Sequence, residues 1–245
     1  MNPKRSRPWR NGWTNKIRPI EVGSTLRIVP YWETLRGSDQ RREIIIDPGV
    51  AFGAGNHPTT QMALEFLETA MFMAQKECGT PTVLDAGTGT GILALAAKAL
   101  GSGLTIGFDI DSSAVFCARR NTALNRWLWH DPDDSPVQWY IGEIRAIGRT
   151  FDVVTANLAA PTLLAVRRDL VACVKRYLVL SGIAEALVDD VIQAYLQERL
   201  DCLAKGEREG WYAVFLSMPM SHDSRCFGLA LGREWLTNSN PGPSS

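Results

Sequence analysis

The stretch Val83-Leu84-Asp85-Ala86-Gly87-Thr88-Gly89-Thr90-Gly91-Ile92-Leu93-Ala94-Leu95 decides the fold. A short apolar run ends in an acid, passes through three alternating glycines and resumes as an alanine- and leucine-rich helix. That order is a strand, a tight turn and a helix N-terminus, the local geometry with which open α/β sheets hold a nucleotide-like ligand. Gly87 and Gly89 can take backbone angles closed to other residues, and they let a ligand approach the main chain. Glycine-rich turns also serve only as turns, so the reading depends on what surrounds this one.

Downstream, Leu104-Thr105-Ile106-Gly107-Phe108-Asp109 reads as a second buried strand, ending in an acid about two dozen residues beyond Asp85. At that spacing an acid in a nucleotide-binding unit reaches the ribose hydroxyls. A helix over Asp111 to Asn125 follows, then a strand at Val137 to Ile141 leading to Gly142-Glu143. Next come a strand at Phe151 to Ala156 running into Asn157, a helix at about Thr162 to Val174 and a strand at Tyr177 to Ser181. Glu185 to Glu198 reads as helix. Leu200 to Lys205 and Trp211 to Met218 read as two strands across the turn Gly206 to Gly210. Strand and helix alternation predicts a doubly wound, mostly parallel seven-stranded sheet covered on both faces. The short final connection makes its last two strands an antiparallel hairpin.

Upstream, Glu43-Ile44-Ile45-Ile46-Asp47 is a β-branched strand closed by Pro48-Gly49. The loop from Asp47 to Thr60 then feeds a helix from about Pro58 to Lys76, with proline at the first helical position. Its free first-turn N–H groups, beside the hydroxyls of Thr59 and Thr60, make a small carboxylate receptor. His57 is read as a hydrogen-bonding partner in the turn rather than as a base. Residues 17–32 alternate short β-like pieces with turns.

Composition bounds the function. The 245 residues are 45% hydrophobic and 21% charged with zero formal net charge, so no global basic field argues for nucleic acid. Five dispersed cysteines read as thiols in a reducing, cytoplasmic setting, and three separated histidines suggest no metal site. No apolar run reaches the ~18 residues of a membrane span. The acid-free, arginine-rich first twenty residues read as a frayed terminus, with a transit peptide as the competing reading. The expected division is an N-terminal extension at 1–42, a catalytic domain at 43–218 and a tail at 219–245.

The glycine turn lacks the last spaced glycine of a dinucleotide fingerprint and the lysine of a P-loop. That shifts the expected ligand toward S-adenosyl-L-methionine. Four stretches, Asp47 to Thr60, Val83 to Leu95, Gly107 to Asp111 and Ala156 to Ala159, together resemble ribosomal protein lysine methyltransferases of the PrmA type. The loop Phe52-Gly53-Ala54-Gly55-Asn56-His57-Pro58-Thr59-Thr60 is the most specific of them, although the family usually has threonine at positions 54 and 56. Similar motifs occur in mitochondrial lysine methyltransferases.

The resemblance implies a cofactor, S-adenosyl-L-methionine, and a protein substrate methylated on a lysine or N-terminal amine. It implies that Gly87, Thr88 and Gly89 lie against the cofactor, with Asp85 anchoring the turn. Asp109 would hold the ribose hydroxyls, Ile110 would belong to the cofactor site beside it, the Glu143 region would flank the adenine, and Thr59 and Thr60 would receive the methionine end. Asn157 would stand at the methyl-transfer face, its side-chain carbonyl orienting the amine. Asp85, Asp109, Glu143 and Asn157 are also ordinary turn formers, and that reading stays open. PrmA-type enzymes carry an N-terminal substrate-capture domain, and the segment before residue 43 is too short to be one. A nucleobase or small-molecule acceptor, and a partner protein that binds the cofactor without transfer, are the competing functions. The Leu158-Ala159 pair after Asn157 argues against a nucleobase, which calls for a proline-aromatic pair there.

Overall fold

The computed structural model describes residues 18–33, 41–47, 53, 55–126 and 137–219. The basic first residues, part of the Asp47 to Thr60 loop, His130 and the C-terminal tail lie outside the described residues.

Three strands come first. β1 (Ile20–Val22) and β2 (Leu26–Pro30) form an antiparallel hairpin, and β3 (Arg42–Ile46) pairs in parallel with β2. Residues on both sides of the expected 42/43 division are thus joined in one small sheet. It packs on α1 (Pro58–Cys78), where Glu68 accepts the backbone N–H groups of Ser24 and Thr25 at 2.8 and 2.7 Å.

The main body then alternates: β4 (Val83–Ala86), α2 (Ile92–Ala99), β5 (Thr105–Asp109), α3 (Ser112–Asn125), β6 (Gln138–Ile141) and β7 (Phe151–Asn157). After β7 come α4 (Ala160–Ala165), α5 (Arg167–Ala172), β8 (Val174–Ala184), α6 (Val188–Gln197), β9 (Asp201–Arg208) and β10 (Trp211–Ser217). The strands lie in the order β6-β5-β4-β7-β8-β10-β9, parallel except for β10, which runs antiparallel to both β8 and β9. The expected sheet and terminal hairpin are both present.

Alternate strand residues enter opposite layers, as a period of two requires. Val83, Val153 and Phe215 join the core under α1, α2 and the small sheet, whereas Leu84, Val154 and Leu216 join the core under α4 to α6. Both faces are covered, which is the condition for near-continuous apolar strands.

Three local expectations change. The single helix over 162–174 is two short helices parted at Val166 (φ −100°, ψ 9°), and the strand after it starts earlier, at Val174. The helix expected from Glu185 begins with a 3-10 turn, Glu185–Leu187, and turns α-helical at Val188. The final hairpin turn is tighter than Gly206 to Gly210: pairing continues to Arg208 opposite Trp211. Glu209 and Gly210 make the turn at φ 56° and 76°, the left-handed pair that a two-residue hairpin needs.

Candidate functional site

Strand order reverses beside β4. The chain moves outward through β5 and β6, then returns to place β7 on the other side. At such a point the connections at the carboxyl ends of the strands diverge and leave a crevice. A cavity of about 650 Å³ lies there, lined by the turn after β4, the ends of β5 and β7, the N-terminus of α1 and the start of β10.

Gly87 has φ +71°, and its N–H and that of Thr88 both donate to the Phe108 carbonyl at 3.0 Å. A Cβ on Gly87 would overlap Leu158 Cδ2, so glycine is required here by backbone angle and by space. Asp85 lies beneath the turn, 1% exposed, accepting from Thr88 Oγ1 at 2.6 Å and Thr155 Oγ1 at 2.8 Å. Burial pushes its carboxyl up to about 6, against the opposing pull of those two hydroxyls. Asp85 therefore anchors the turn from below rather than lining the cavity.

Asp109 does line it. Its two oxygens accept from Gly89 N–H at 3.1 Å and Asp111 N–H at 3.0 Å, which fixes the carboxylate at the cavity edge. Each oxygen keeps a further lone pair for a ligand. Asp111, the N-cap of α3, lines the same edge.

The opposite wall is the start of α1. His57 is its N-cap, Nδ1 accepting the Thr59 N–H at 3.3 Å and lying 2.8 Å from Thr59 Oγ1. The imidazole meets the Trp211 ring edge-on at 5.2 Å. Thr59 lines the cavity, and its carbonyl accepts Ser181 Oγ at 2.8 Å, tying the helix to β8.

Asn157 ends β7 and also lines the cavity. Its Nδ2 donates to Thr60 Oγ1 at 3.4 Å, while its Oδ1 is buried with no hydrogen-bond partner among the described residues. Beside that oxygen stands Gly182 at φ +84°. A Cβ there would sit 2.5 Å from the Leu158 carbonyl oxygen and 3.1 Å from Asn157 Oδ1. A buried unpaired carbonyl costs free energy and calls for an explanation.

Of the residues singled out in the sequence, Thr59, Gly87, Thr88, Gly89, Asp109 and Asn157 line one cavity. Thr60 is fully buried behind Asn157, and Asp85 lies under the turn. Ile110 is 75% exposed beside Asp109 and outside the lining. Glu143 is exposed too, preceding the 3-10 turn Ile144–Ala146 without a side-chain cap. Trp211, Gly182 and Ala114 line the cavity unheralded. Only Gly182 carried a signal, a glycine directly after the apolar run Tyr177 to Ser181; the structure extends that strand to Ala184 and puts Gly182 inside it, where glycine marks close backbone approach. Trp211 arrives through the insertion of β10 beside β8, which nothing local announces.

Among the described residues no cluster of three or more His, Cys, Asp or Glu could hold a metal, and no helix is long and apolar enough to cross a membrane.

Residues 3–218 match the family described as Ribosomal protein L11 methyltransferase (PrmA). The chain belongs to the PrmA family. It is 41% identical over 211 residues to a ribosomal protein L11 methyltransferase of Pelobacter propionicus, a match covering 85% of this chain and 66% of that protein. It is 38% identical over 210 residues to that of Geobacter sulfurreducens, covering 84% and 65%. The chain thus spans just under two thirds of these PrmA relatives. A ribosomal protein L11 methylase structure from Lactobacillus delbrueckii subsp. bulgaricus superposes with a TM-score of 0.72 at 29% identity. That match covers 83% of this chain and 100% of the other.

Proposed function

We propose that the chain transfers a methyl group from S-adenosyl-L-methionine to an amine of a protein, a lysine side chain or an N-terminus. The substrate class is that named for its relatives, a ribosomal protein of the L11 kind. The observation that carries the reading is Asn157 Oδ1: a hydrogen-bond acceptor buried without a partner in a residue lining the cavity, across from the glycine turn.

The cavity fits the cofactor on three counts. Its volume is within the ~300–1,000 Å³ of small-molecule sites. The turn Gly87 to Gly89 offers main chain without side chains, and Asp109 holds a preset carboxylate at its edge, suited to ribose hydroxyls. Thr59 on the opposite wall suits the methionine end; the first-turn N–H groups expected to receive its carboxylate are already engaged, Thr59 N–H by His57 Nδ1 and those of Thr60 and Gln61 by the His57 carbonyl. Glu143 and Ile110 lie toward the side the adenine would take, where the Glu143 backbone matters more than its carboxylate. When bound, the cofactor supplies an electrophilic methyl on a sulfonium.

The chain's task is alignment and exclusion of water. A lysine amine has a reference pKa of about 10.4 and attacks only when neutral. Entry into the apolar wall of Leu158, Ala159 and Trp211 favours the neutral form by desolvation. Asn157 Oδ1 then accepts one amine N–H, which turns the nitrogen lone pair toward the cofactor side. Thr60 fixes this orientation, since its hydroxyl accepts the Asn157 Nδ2 hydrogen and leaves Oδ1 for the amine. As the N–C bond formed, the methyl–sulfur bond would break and leave S-adenosylhomocysteine; the methylated ammonium would give up its extra proton to bulk solvent once it leaves the cavity, and no side chain need act as base. With a ribosomal substrate, the expected setting is the cytoplasm.

The test is incubation of the purified chain with methyl-labelled cofactor and an L11-type ribosomal protein, followed by hydrolysis to amino acids. The expected product is label in methylated lysine or in the terminal residue. Label that follows nucleic acid, or none at all, overturns the reading.

A further inference from the structure

The fourth residue of the glycine turn, Thr90, faces away from the ligand side. It is fully buried, and its Oγ1 donates to the Gly53 carbonyl at 2.6 Å, across 37 positions of sequence. Gly53 lines the cavity on the α1 side at φ +104°. Thr90 therefore joins the turn that forms the floor to a residue of the opposite wall.

The Thr90 carbonyl is itself held. Asn121 on α3, 1% exposed, donates to it from Nδ2 at 2.9 Å. The same amide reaches the chain leaving β3: its Oδ1 accepts Asp47 N–H at 2.8 Å and its Nδ2 also donates to the Asp47 carbonyl at 3.3 Å. Arg120 pairs with the Asp47 carboxylate. One turn on, Asn125 makes an equivalent pair of bonds with Ile45 N–H and C=O, at 2.8 and 2.7 Å. Two asparagines spaced by four residues thus serve as a substitute strand along the edge of β3. Only Asn121 also grips the glycine turn.

We propose that Thr90 and Asn121 are a positioning pair that locks the Gly53 wall of the cavity to the glycine turn, so that wall and floor meet the cofactor as one body. The two bonds divide the work: Asn121 fixes the turn relative to the start of the loop at Asp47, and Thr90 fixes Gly53 relative to the turn. Neither side chain lines the cavity, so neither touches a ligand. The pair acts through Gly53. A merely structural role predicts lost stability alone, whereas positioning predicts lost affinity out of proportion to stability.

Thr90→Val keeps the volume and removes the donor, leaving the buried Gly53 carbonyl to move or stay unpaired. The proposal rests on the cofactor reading for its ligand measurement but not for its structural one. Calorimetric titration with S-adenosylhomocysteine should show Kd raised about tenfold in Thr90→Val and in Asn121→Ala, and restored toward wild type in Thr90→Ser. Asn125→Ala, which loosens β3 without touching the turn, should lower Tm as much while leaving Kd unchanged. Amide exchange at Gly53 and Gly55 in the ligand-free chain should quicken in Thr90→Val and not in Thr90→Ser. An unchanged Kd in Thr90→Val, or a Kd raised equally by Asn125→Ala, overturns the proposal. Should wild type itself bind no S-adenosylhomocysteine, the cofactor reading fails, and exchange still decides the lock: unchanged exchange in Thr90→Val overturns it.

Discussion

The two ends of β7, seven residues from Phe151 to Asn157, are built on opposite terms. At its start Asp152 is saturated. It accepts Thr82 N–H at 3.0 Å and Thr82 Oγ1 at 2.8 Å, and it pairs with Lys175 at 3.0 Å and Arg176 at 3.2 Å. Burial alone would raise this carboxyl, but the Thr82 bonds and the two cations hold it down at about 2. Arg176 goes on to Glu77, which also accepts the Tyr177 hydroxyl. At the far end of the same strand Asn157 Oδ1 has no partner, and the neighbouring acid, Asp85, is pushed up to about 6. One end of the sheet satisfies its polar groups within the protein; the other leaves one buried acceptor without a partner among the described residues.

The largest effect is expected from Asn157→Ala. Loss of the orienting carbonyl should cut methyl transfer about 10²–10³-fold, the scale seen when a preorganised hydrogen-bonding group is removed from an active site. Stability should fall by no more than about 1 kcal/mol, because the change gives up one long bond from Nδ2 to Thr60, and Oδ1 has no partner among the described residues. A thermal melt beside the transfer assay checks both halves. A large drop in Tm makes Asn157 structural and erases the contrast.

Gly87→Val comes next. It places a side chain at φ +71° and into Leu158, and backbone strain plus overpacking amount to about 2–4 kcal/mol. Urea denaturation should show that loss, and S-adenosylhomocysteine binding should fall with it.

The two acids sharpen the comparison through pH, with opposite signs. Asp85 has a folded pKa above its unfolded value. Its favourable contribution is fullest below about pH 4 and is lost as pH rises toward 6. Asp85→Asn should therefore gain on wild type across that window, by up to about 3 kcal/mol at neutral pH. Equilibrium unfolding at pH 4 and pH 7 measures the difference; a gap that does not widen with pH contradicts it. Asp152 is depressed, so its contribution is present above the ordinary carboxylate pKa and lost as pH falls from about 4 toward 2. Asp152→Asn should cost about 1–2 kcal/mol at pH 7, progressively less in acid, and leave transfer per folded molecule intact.

Much of this was legible in the sequence, because it rests on local chemistry. The apolar run into Asp85, the alternating glycines and the strand into Asp109 dictate turn geometry from adjacent residues, and those residues line or underlie the cavity. The pairing of β9 with β10 followed from a short connection. What stayed hidden depends on distant contacts. Thr60 reads locally as part of a helix N-terminus, yet it bonds Asn157 across 97 positions and is buried behind it. Trp211 opens a strand like any aromatic until β10 carries it beside His57. The break at Val166 divides residues that by apolar periodicity make one helix. The union of β2 with β3 joins segments that hydropathy separates by a polar loop.

The open end of the sheet is here proposed as an S-adenosyl-L-methionine site. The most direct measurement is calorimetric titration of the purified chain with S-adenosylhomocysteine, repeated on Asp109→Ala. Saturable binding is expected at one site per chain, weakened in the variant that loses the carboxylate held by Gly89 and Asp111. No binding by the wild type, or equal binding by Asp109→Ala, would contradict it.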